Sequence, residues 1–435
     1  MTPYERHHQE TLWVRYATIF LGIWLLTTPL TFFINDKAIF WSDLLTGFLL
    51  IVLGFFSLNS MRTWTVWAIV LLGIWLQLAP LIFWASNPLS YLNDTFVGVL
   101  AITFSLLIPG TPGASNSIDQ PIPLGWSYNP SSWVQRMPII CLCLICWFTA
   151  RYMAAYQLGY LKEIWDPVFN TGTLNVITSP ISQAFPVSDA GLGAAAYTIE
   201  TLMGCKGGSK RWYKMPWLVI LFGILVIPVG LTSVILIMLQ PIIVGYWCFW
   251  CLLTAFCMLV MIALTVDEVL AVLQFLTQSK NEGRSFWQTF WKGGPNVQSN
   301  PTQIYPDSIS ISASFKNMVK GTTIPFNLLL SALIGMWFLF SENLGDSSQR
   351  LAAYKHILGA LIITTSILAM AELLRTGRYL NFIFSLGIVT SSLFLGNLKS
   401  PILYTNLVLA FILFLLTIPR GTISETYGSL NRWIK

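Results

Sequence analysis

Long apolar stretches separated by short polar segments recur along the chain from residue 14 to residue 418. Most have the length of roughly 17–25 residues that an α-helix needs to cross a bilayer. The pattern therefore predicts an all-α integral membrane protein with about twelve transmembrane helices. The predicted spans are residues 14–33, 42–59, 63–84, 92–108, 138–160, 183–203, 216–240, 244–270, 323–340, 353–372, 380–396 and 402–418.

The composition supports this class. Of the 435 residues, 55% are hydrophobic and only 10% are charged, whereas soluble domains carry about 25% charged residues. Residues 1–13 are polar and the first apolar run, Tyr16–Phe33, is long enough to span, so we expect no cleaved signal peptide. The net charge of +6 needs no nucleic-acid partner, and the expected surroundings are the lipid bilayer.

The distribution of Lys and Arg predicts the orientation. If the N-terminus is cytoplasmic, 17 of the 24 basic residues fall in cytoplasmic segments and four or five fall outside. Cytoplasmic loops of membrane proteins carry such an excess of positive charge. We therefore expect both termini in the cytoplasm, in a membrane of the bacterial inner-membrane type, with residues 109–137 and 271–322 as the long cytoplasmic segments.

Two helix pairs near the N-terminus repeat one another. Leu21-Gly22-Ile23-Trp24-Leu25 recurs 51 residues later as Leu72-Gly73-Ile74-Trp75-Leu76, and Asp43…Gly47 recurs as Asp94…Gly98. A weaker similarity to this repeat occurs near the C-terminus, in Gly335-Met336-Trp337 with Gly359. The N-terminal and C-terminal groups of helices also end in similar short sequences, Ile108-Pro109-Gly110 and Ile418-Pro419-Arg420-Gly421.

These units resemble the SPW-repeat family of two-helix membrane units, although Thr28-Pro29-Leu30 and Ala79-Pro80-Leu81 stand where that family has Ser-Pro-Trp. The resemblance implies two repeats in residues 14–108 and two more in residues 323–418. Small residues such as Gly47 and Gly98 favour close helix packing. Asp43 and Asp94 fit either helix N-caps or functional carboxylates.

Cys248-Phe249-Trp250-Cys251 lies at the predicted outer end of the eighth span. A CxxC pair can cycle between dithiol and disulfide, and its sulfurs react as thiolates. The other five cysteines are interpreted as packing or loop residues. Only three histidines are present and none is near the pair in sequence, so no zinc site is predicted.

Residues 138–270 resemble the vitamin K epoxide reductase family, whose core is a four-helix bundle around a quinone. The resemblance rests on Gly245-Tyr-Trp-Cys-Phe-Trp-Cys-Leu-Leu-Thr-Ala255 and on Phe185-Pro-Val-Ser-Asp-Ala-Gly-Leu-Gly-Ala-Ala-Ala-Tyr197. It implies that Cys251 reacts with a quinone of the ubiquinone or menaquinone type and that Cys248 exchanges disulfides with an extracytoplasmic dithiol protein.

Four further residues are predicted to bind the quinone. Asp189, Gly193 and Tyr197 are spaced by four and share a helix face, and Arg151 is predicted at a similar depth. An intramembrane charge usually faces a bundle interior or a partner, so Asp189 and Arg151 are expected to meet near the sulfurs. A buried structural ion pair is the alternative reading of these two charges.

The loop of residues 161–182 contains no cysteine, whereas the family normally carries a second cysteine pair there. Either an external dithiol reaches Cys248 directly, or catalysis has been altered or lost. Three hypotheses follow: a quinone-linked thiol oxidoreductase, a non-catalytic membrane scaffold or sensor, and a transporter. The transporter hypothesis is weakened because the two repeat halves share one orientation instead of being inverted.

Overall fold

The computed structural model describes residues 11–31, 34, 36–58, 64–107, 121–295, 311–341, 349–396 and 401–434. This part of the chain is helical and contains no β-strand, only two isolated bridges. The predicted all-α class is confirmed. The motif Ile108-Pro109-Gly110, residues 109–120 of the predicted linker and residues 296–310 of the predicted second loop lie outside the described residues.

Helices occupy all twelve predicted spans. Among the described residues, eight helical segments are long and apolar enough to cross a membrane, and α1, α7, α13 and α16 occupy the other four places. The chain is an integral membrane protein, and the exact count of twelve spans stays a prediction. The helices are α1 Leu12–Thr31, α2 Lys37–Ser57, α3 Trp64–Ile82, α4 Pro88–Leu107, α5 Trp133–Gln157, α6 Gly172–Ile177, α7 Asp189–Cys205, α8 Arg211–Lys214, α9 Pro216–Leu239, α10 Phe249–Asn281, α11 Phe286–Lys292, α12 Ile311–Met318, α13 Phe326–Phe340, α14 Gln349–Leu368, α15 Leu380–Leu395, α16 Pro401–Thr417 and α17 Asn431–Ile434.

The helices form two compact units. The first comprises described residues of 1–114, 146–165 and 177–206, and the second those of 115–145, 166–176 and 207–435. Both units contain parts of the segment 138–270 that the sequence predicts to be one four-helix domain. The predicted domain borders follow the family resemblance, and they stay a prediction.

In the first unit, paired glycines hold the repeated helices together. A Cβ added to Gly22 would lie 2.7 Å from the carbonyl oxygen of Gly47, and one added to Gly73 would lie 2.8 Å from that of Gly98. Because real Cβ atoms do not approach so closely, only glycine permits these backbones to meet, as at many membrane helix interfaces. The 51-residue repeat thus has a direct packing consequence.

Asp43 and Asp94 are not helix N-caps. Helix α2 begins at Lys37, where Asp36 caps it by accepting a hydrogen bond from the Ala38 N–H at 2.9 Å. Each repeat aspartate is the seventh residue of its helix and is fully buried. The capping interpretation is wrong because the helices begin earlier than the apolar pattern indicates.

The second unit contains a similar glycine contact. A Cβ added to Gly359 would lie 2.7 Å from the carbonyl oxygen of Gly335, which draws α13 and α14 together. Helix α10 continues to Asn281, beyond the predicted end at residue 270, because Val272, Phe275 and Leu276 pack in an apolar cluster of this unit.

Buried polar contacts gather at the end of α10 that the charge pattern assigns to the cytoplasm. The Arg211 Nε donates to Glu268 at 2.6 Å in a fully buried ion pair. Glu372 accepts hydrogen bonds from Ser424 and from the Tyr427 hydroxyl at 2.8 and 2.9 Å. These contacts tie the C-terminal segment of the second unit to its helices.

Candidate functional site

Cys248 and Cys251 are joined by a disulfide at the start of α10, with their Cα atoms 5.3 Å apart. Cys248 is the N-cap of this helix, and its Sγ lies 3.1 Å from the Cys251 backbone N–H. The positive end of the helix dipole favours negative charge at this position, so the helix stabilises a thiolate when the bond is reduced.

The backbone that leads into the pair is held by Gln240. The Cys248 N–H donates to Gln240 Oε1 at 3.1 Å, and Gln240 is itself buried. Residues Gln240–Val244 form a single π-helical turn, which ends at Gly245 with a positive φ of 77°. The left-handed conformation at Gly245 turns the chain from α9 into the cysteine motif.

Asp166 joins the loop of residues 166–176 to the redox helix. Its carboxylate accepts hydrogen bonds from the N–H groups of Val168 at 2.9 Å and Phe169 at 2.7 Å, and from the Thr173 hydroxyl at 2.6 Å. The same carboxylate accepts from the Phe249 N–H at 3.3 Å, in the first turn of α10. One buried side chain thus organises the loop and satisfies a free amide at the helix start.

These hydrogen bonds decide the charge of Asp166. Burial raises the pKa of a carboxyl group, but the bonds from Phe169, Thr173, Val168 and Phe249 outweigh this effect and hold the pKa of Asp166 below its ordinary value. Asp166 is therefore an anion at neutral pH. Each bond that it accepts is charge-assisted and stronger than a neutral one.

The loop covers Cys248 completely. The Thr173 hydroxyl oxygen lies 3.6 Å from Cys248 Sγ, and Cys248 is 0% exposed. A Cβ added to Gly172 would lie only 2.0 Å from the Trp247 carbonyl oxygen, so glycine is required for this approach. The family resemblance implies that Cys248 exchanges disulfides with a partner, whereas here Cys248 is buried beside Thr173.

Cys251 faces an apolar environment. It is half-buried and packs against a cluster that includes Ile237, Ala255, Leu339 and Ala360. These four residues also line a cavity of about 330 Å³ within the second unit. The deeper sulfur thus borders the wall of a cavity that is almost entirely apolar.

Asp189 lies at the first position of α7, because this helix begins at Asp189 and not near residue 183 as predicted. Its carboxylate accepts from Gln157 Nε2 at 2.6 Å and from the Ser182 hydroxyl at 2.8 Å. Ser188 caps the helix by accepting from the Gly191 N–H at 2.9 Å. Asp189 therefore lies at a helix end, less deep than the predicted span implied.

Arg151 interacts with residues other than Asp189, its predicted partner. Its guanidinium donates to the Thr95 hydroxyl at 3.2 Å and lies over the rings of Tyr91 and Trp147, at 4.9 and 5.0 Å. Among the described residues no ion pair joins Arg151 to Asp189. The expectation that these two charges meet is wrong. Arg151 donates to Thr95 instead, and Asp189 accepts from Gln157 and Ser182.

Gly193 and Tyr197 do share a face of α7. A Cβ added to Gly193 would lie 3.6 Å from the Tyr197 ring and 3.8 Å from Ala150. Tyr197 is buried. The role of all four residues in quinone binding stays a prediction.

Sequence reasoning missed Asp166 and Gln240. Asp166-Pro167 in a loop is a local signal, because aspartate often accepts bonds from the N–H groups two and three residues ahead. Its bond to Phe249 depends on the tertiary fold and has no sequence signal. Among the described residues no group of three or more His, Cys, Asp or Glu side chains could hold a metal ion.

Comparison with known families agrees with this architecture. Residues 137–266 match the family model described as the vitamin K epoxide reductase family, and residues 12–108 match that of the SPW repeat domain. The arrangement predicted from the sequence is confirmed for these two segments. The two further repeats in residues 323–418 stay a prediction. No curated protein and no solved structure matches the chain.

Proposed function

We propose that this protein passes electrons from an extracytoplasmic dithiol protein to a quinone, since residues 137–266 match the model of the vitamin K epoxide reductase family, a family of membrane thiol–disulfide oxidoreductases. The observation that carries the proposal is the disulfide between Cys248 and Cys251, at a helix start, beside an apolar cavity. One cysteine can then meet a thiol partner while the other meets a lipid-soluble acceptor.

The first half of the cycle reduces the Cys248–Cys251 bond. A thiolate of the partner attacks Cys248 Sγ, the bond breaks, and Cys251 leaves as a thiolate. The second thiol of the partner then attacks the mixed disulfide. The partner departs as a disulfide, and both cysteines of the protein are reduced.

In the second half of the cycle, the two cysteines pass their electrons to the quinone. The Cys251 thiolate attacks the quinone, and Cys248 displaces it so that the disulfide forms again. Two electrons and two protons pass to the quinone, which leaves as a quinol. The net reaction is dithiol plus quinone to disulfide plus quinol.

The loop held by Asp166 controls the first half. Cys248 is closed beneath Thr173, and the loop offers no cysteine pair of its own. The partner dithiol must therefore reach Cys248 directly, after the loop of residues 166–176 opens. This opening breaks the bonds from Asp166 to the loop and to the Phe249 N–H.

The residues that we propose for quinone binding are Gly193 and Tyr197, on one face of α7, and the charged residues Asp189 and Arg151. Both charged groups are bonded to protein partners. Arg151 can donate to a quinone carbonyl that replaces the Thr95 hydroxyl as its acceptor, whereas Asp189 can donate to a carbonyl only in its neutral form. We propose that the disulfide end of α10 lies at the outer face of a membrane of the bacterial inner-membrane type, since the distribution of Lys and Arg predicts cytoplasmic termini.

The test is turnover in lipid nanodiscs with dithiothreitol as donor and a prenylated quinone as acceptor. We expect quinol and oxidised dithiothreitol to form in a one-to-one ratio with the wild-type protein. Cys251→Ala should reduce the rate to that of empty nanodiscs. Cys257→Ala, which removes a buried thiol of the same helix outside the motif, should keep wild-type turnover. A wild-type rate equal to that of empty nanodiscs would favour the scaffold hypothesis.

A further inference from the structure

The cavity beside Cys251 has one wall that the redox domain does not supply. Met336, Leu339 and Phe340 come from α13, and Ala360, Ile363 and Thr364 come from α14. These two helices belong to the predicted C-terminal repeats. The opposite wall comes from α9 and from one face of α10.

The face of α10 that lines the cavity begins at the cysteine motif. Phe249, Leu252, Phe256 and Leu259 follow one another at intervals of three or four residues, and such positions share a helix face. Ala255, one turn after Cys251, also lines the cavity. The cavity therefore extends along α10 from Phe249, inside the cysteine motif, to Leu259.

The lining shows which part of a ligand fits. Thr364 provides the only hydroxyl group in the wall, and it already donates to the Ala360 carbonyl at 2.8 Å. A quinone ring needs hydrogen-bond donors at its two carbonyl oxygens, and no other side chain that lines this cavity provides one. A flexible apolar chain needs only apolar contact. The volume of about 330 Å³ lies within the range of small-ligand sites.

The contact between α13 and α14 fixes this wall. Gly335 and Gly359 let the two backbones meet, and each glycine is followed directly by a residue of the wall, Met336 or Ala360. Phe340 closes the end of the cavity near the cysteines, where its ring lies 4.9 Å from that of Trp247 and 6.4 Å from that of Phe169. The loop, the motif and the C-terminal helices therefore meet at one point.

We infer that this cavity binds the prenyl chain of the quinone while its ring reacts at Cys251. The inference rests on the proposed function and gives the C-terminal helix pair a role in substrate recognition. The alternative occupant is a phospholipid acyl chain. The geometry favours the prenyl chain, because Cys251 packs against residues that also line the cavity, and a quinone ring that reacts at Cys251 would direct its own chain there.

The experiment compares two acceptors with the same ring, 2,3-dimethoxy-5-methyl-1,4-benzoquinone without a chain and the same ring with two isoprene units. Ala360→Phe fills the interior of the cavity. Met336→Phe narrows the rim of the cavity. Because Met336 is 49% exposed, the larger phenylalanine side chain can be placed without a clash in the core. The control is Leu329→Phe, one heptad earlier on α13, at a residue that is 44% exposed and outside the cavity lining.

We expect both cavity variants to raise KM for the prenylated ring about tenfold, the effect of losing apolar pocket contacts, while kcat and the KM for the chainless ring stay unchanged. The control should match the wild type. Equal changes for both acceptors would show that the ring enters the cavity and would overturn the inference. So would a wild-type KM that does not depend on the chain, the result expected if an acyl chain fills the cavity.

Quenching of tryptophan fluorescence by each quinone, without any dithiol, separates the inference from the proposed function. If the wild type forms no quinol but binds the prenylated ring more tightly, and Met336→Phe abolishes this preference, the inference stands and the proposed function fails. If quinol forms from both acceptors with equal KM, the proposed function stands and the inference fails.

Discussion

The carboxylate of Asp166 accepts a hydrogen bond from the backbone N–H of Phe249, 83 positions further along the chain, at 3.3 Å. Through this bond the loop that lacks the family's second cysteine pair is fastened to the first turn of the redox helix. The Thr173 hydroxyl, which donates to the same carboxylate, lies 3.6 Å from Cys248 Sγ, so we expect access to that sulfur to depend on Asp166.

Replacing Asp166 by Asn should open the loop. The amide cannot provide the charge-assisted bonds that the carboxylate accepts, which contribute about 1.5–3 kcal/mol each. We expect dithiothreitol to reduce the Cys248–Cys251 disulfide at least about tenfold faster, since about 1.4 kcal/mol corresponds to a factor of ten. Alkylation of the released thiols measures this rate. Glu163→Gln, at an exposed acidic residue near Asp166 in sequence, should leave it unchanged, and equal rates in all three proteins would contradict the role of Asp166.

The hydrogen bonds that Asp166 accepts should weaken only at acidic pH. Because the pKa of Asp166 lies below its ordinary value, which is about 3.9, its stabilisation of the loop is complete at neutral pH and is lost as pH falls through the lowered pKa. The rate of disulfide reduction by a phosphine in Asp166→Asn, divided by the wild-type rate, should be constant from about pH 7 to pH 5. Below about pH 4 this ratio should fall towards one. A fall near pH 6 would show that another group controls the loop.

Gly172→Ala should disturb the loop by a steric route. Its Cβ would lie 2.0 Å from the Trp247 carbonyl oxygen, so the loop must move, at a cost of about 1–3 kcal/mol. We expect faster alkylation of reduced Cys248 and a lower unfolding midpoint. Gly377→Ala is the matched control, because its added Cβ meets no atom within 4 Å. Wild-type behaviour of Gly172→Ala would mean that the loop does not pack against Trp247 as described.

The buried ion pair at the other end of α10 should matter for stability and not for the redox reaction. Arg211→Ala leaves Glu268 as an uncompensated buried charge, which costs about 3–5 kcal/mol. Arg284→Ala breaks an exposed pair with Glu282, for which about 0–1 kcal/mol is expected. Denaturant titration in detergent measures both changes. Equal losses would contradict the assignment of Arg211 as a structural residue.

Local patterns in the sequence were sufficient for the class of fold, the helix positions and the glycine contacts of the repeats. Apolar length predicts a span, and small residues such as Gly47 and Gly98 predict close helix packing. Helix ends were less predictable: Asp43, Asp94 and Asp189 all lie at other helix positions than expected. Apolar length does not mark where a helix begins after an N-capping residue such as Asp36 or Ser188.

The site was only partly predictable for a related reason. Cys248 and Cys251 are close in sequence, and their spacing alone indicates a disulfide. The bonds of Asp166 to Phe249 and of Gln240 to Cys248 join distant segments, and so does the apolar wall from α13 and α14. The sequence predicts that Arg151 and Asp189 meet, but Arg151 donates to Thr95 and Asp189 accepts from Gln157. Such contacts depend on tertiary packing, which cannot be derived from a single sequence.

The most direct test is one turnover of the reduced protein in lipid, without oxygen, followed by thiol trapping after addition of a prenylated quinone. The account predicts that Cys248 and Cys251 form a disulfide while one quinol appears per protein, that Cys251→Ala does neither, and that Cys257→Ala behaves as the wild type. If the pair stays reduced, or becomes oxidised at the same rate without quinone, the quinone-linked redox function is contradicted.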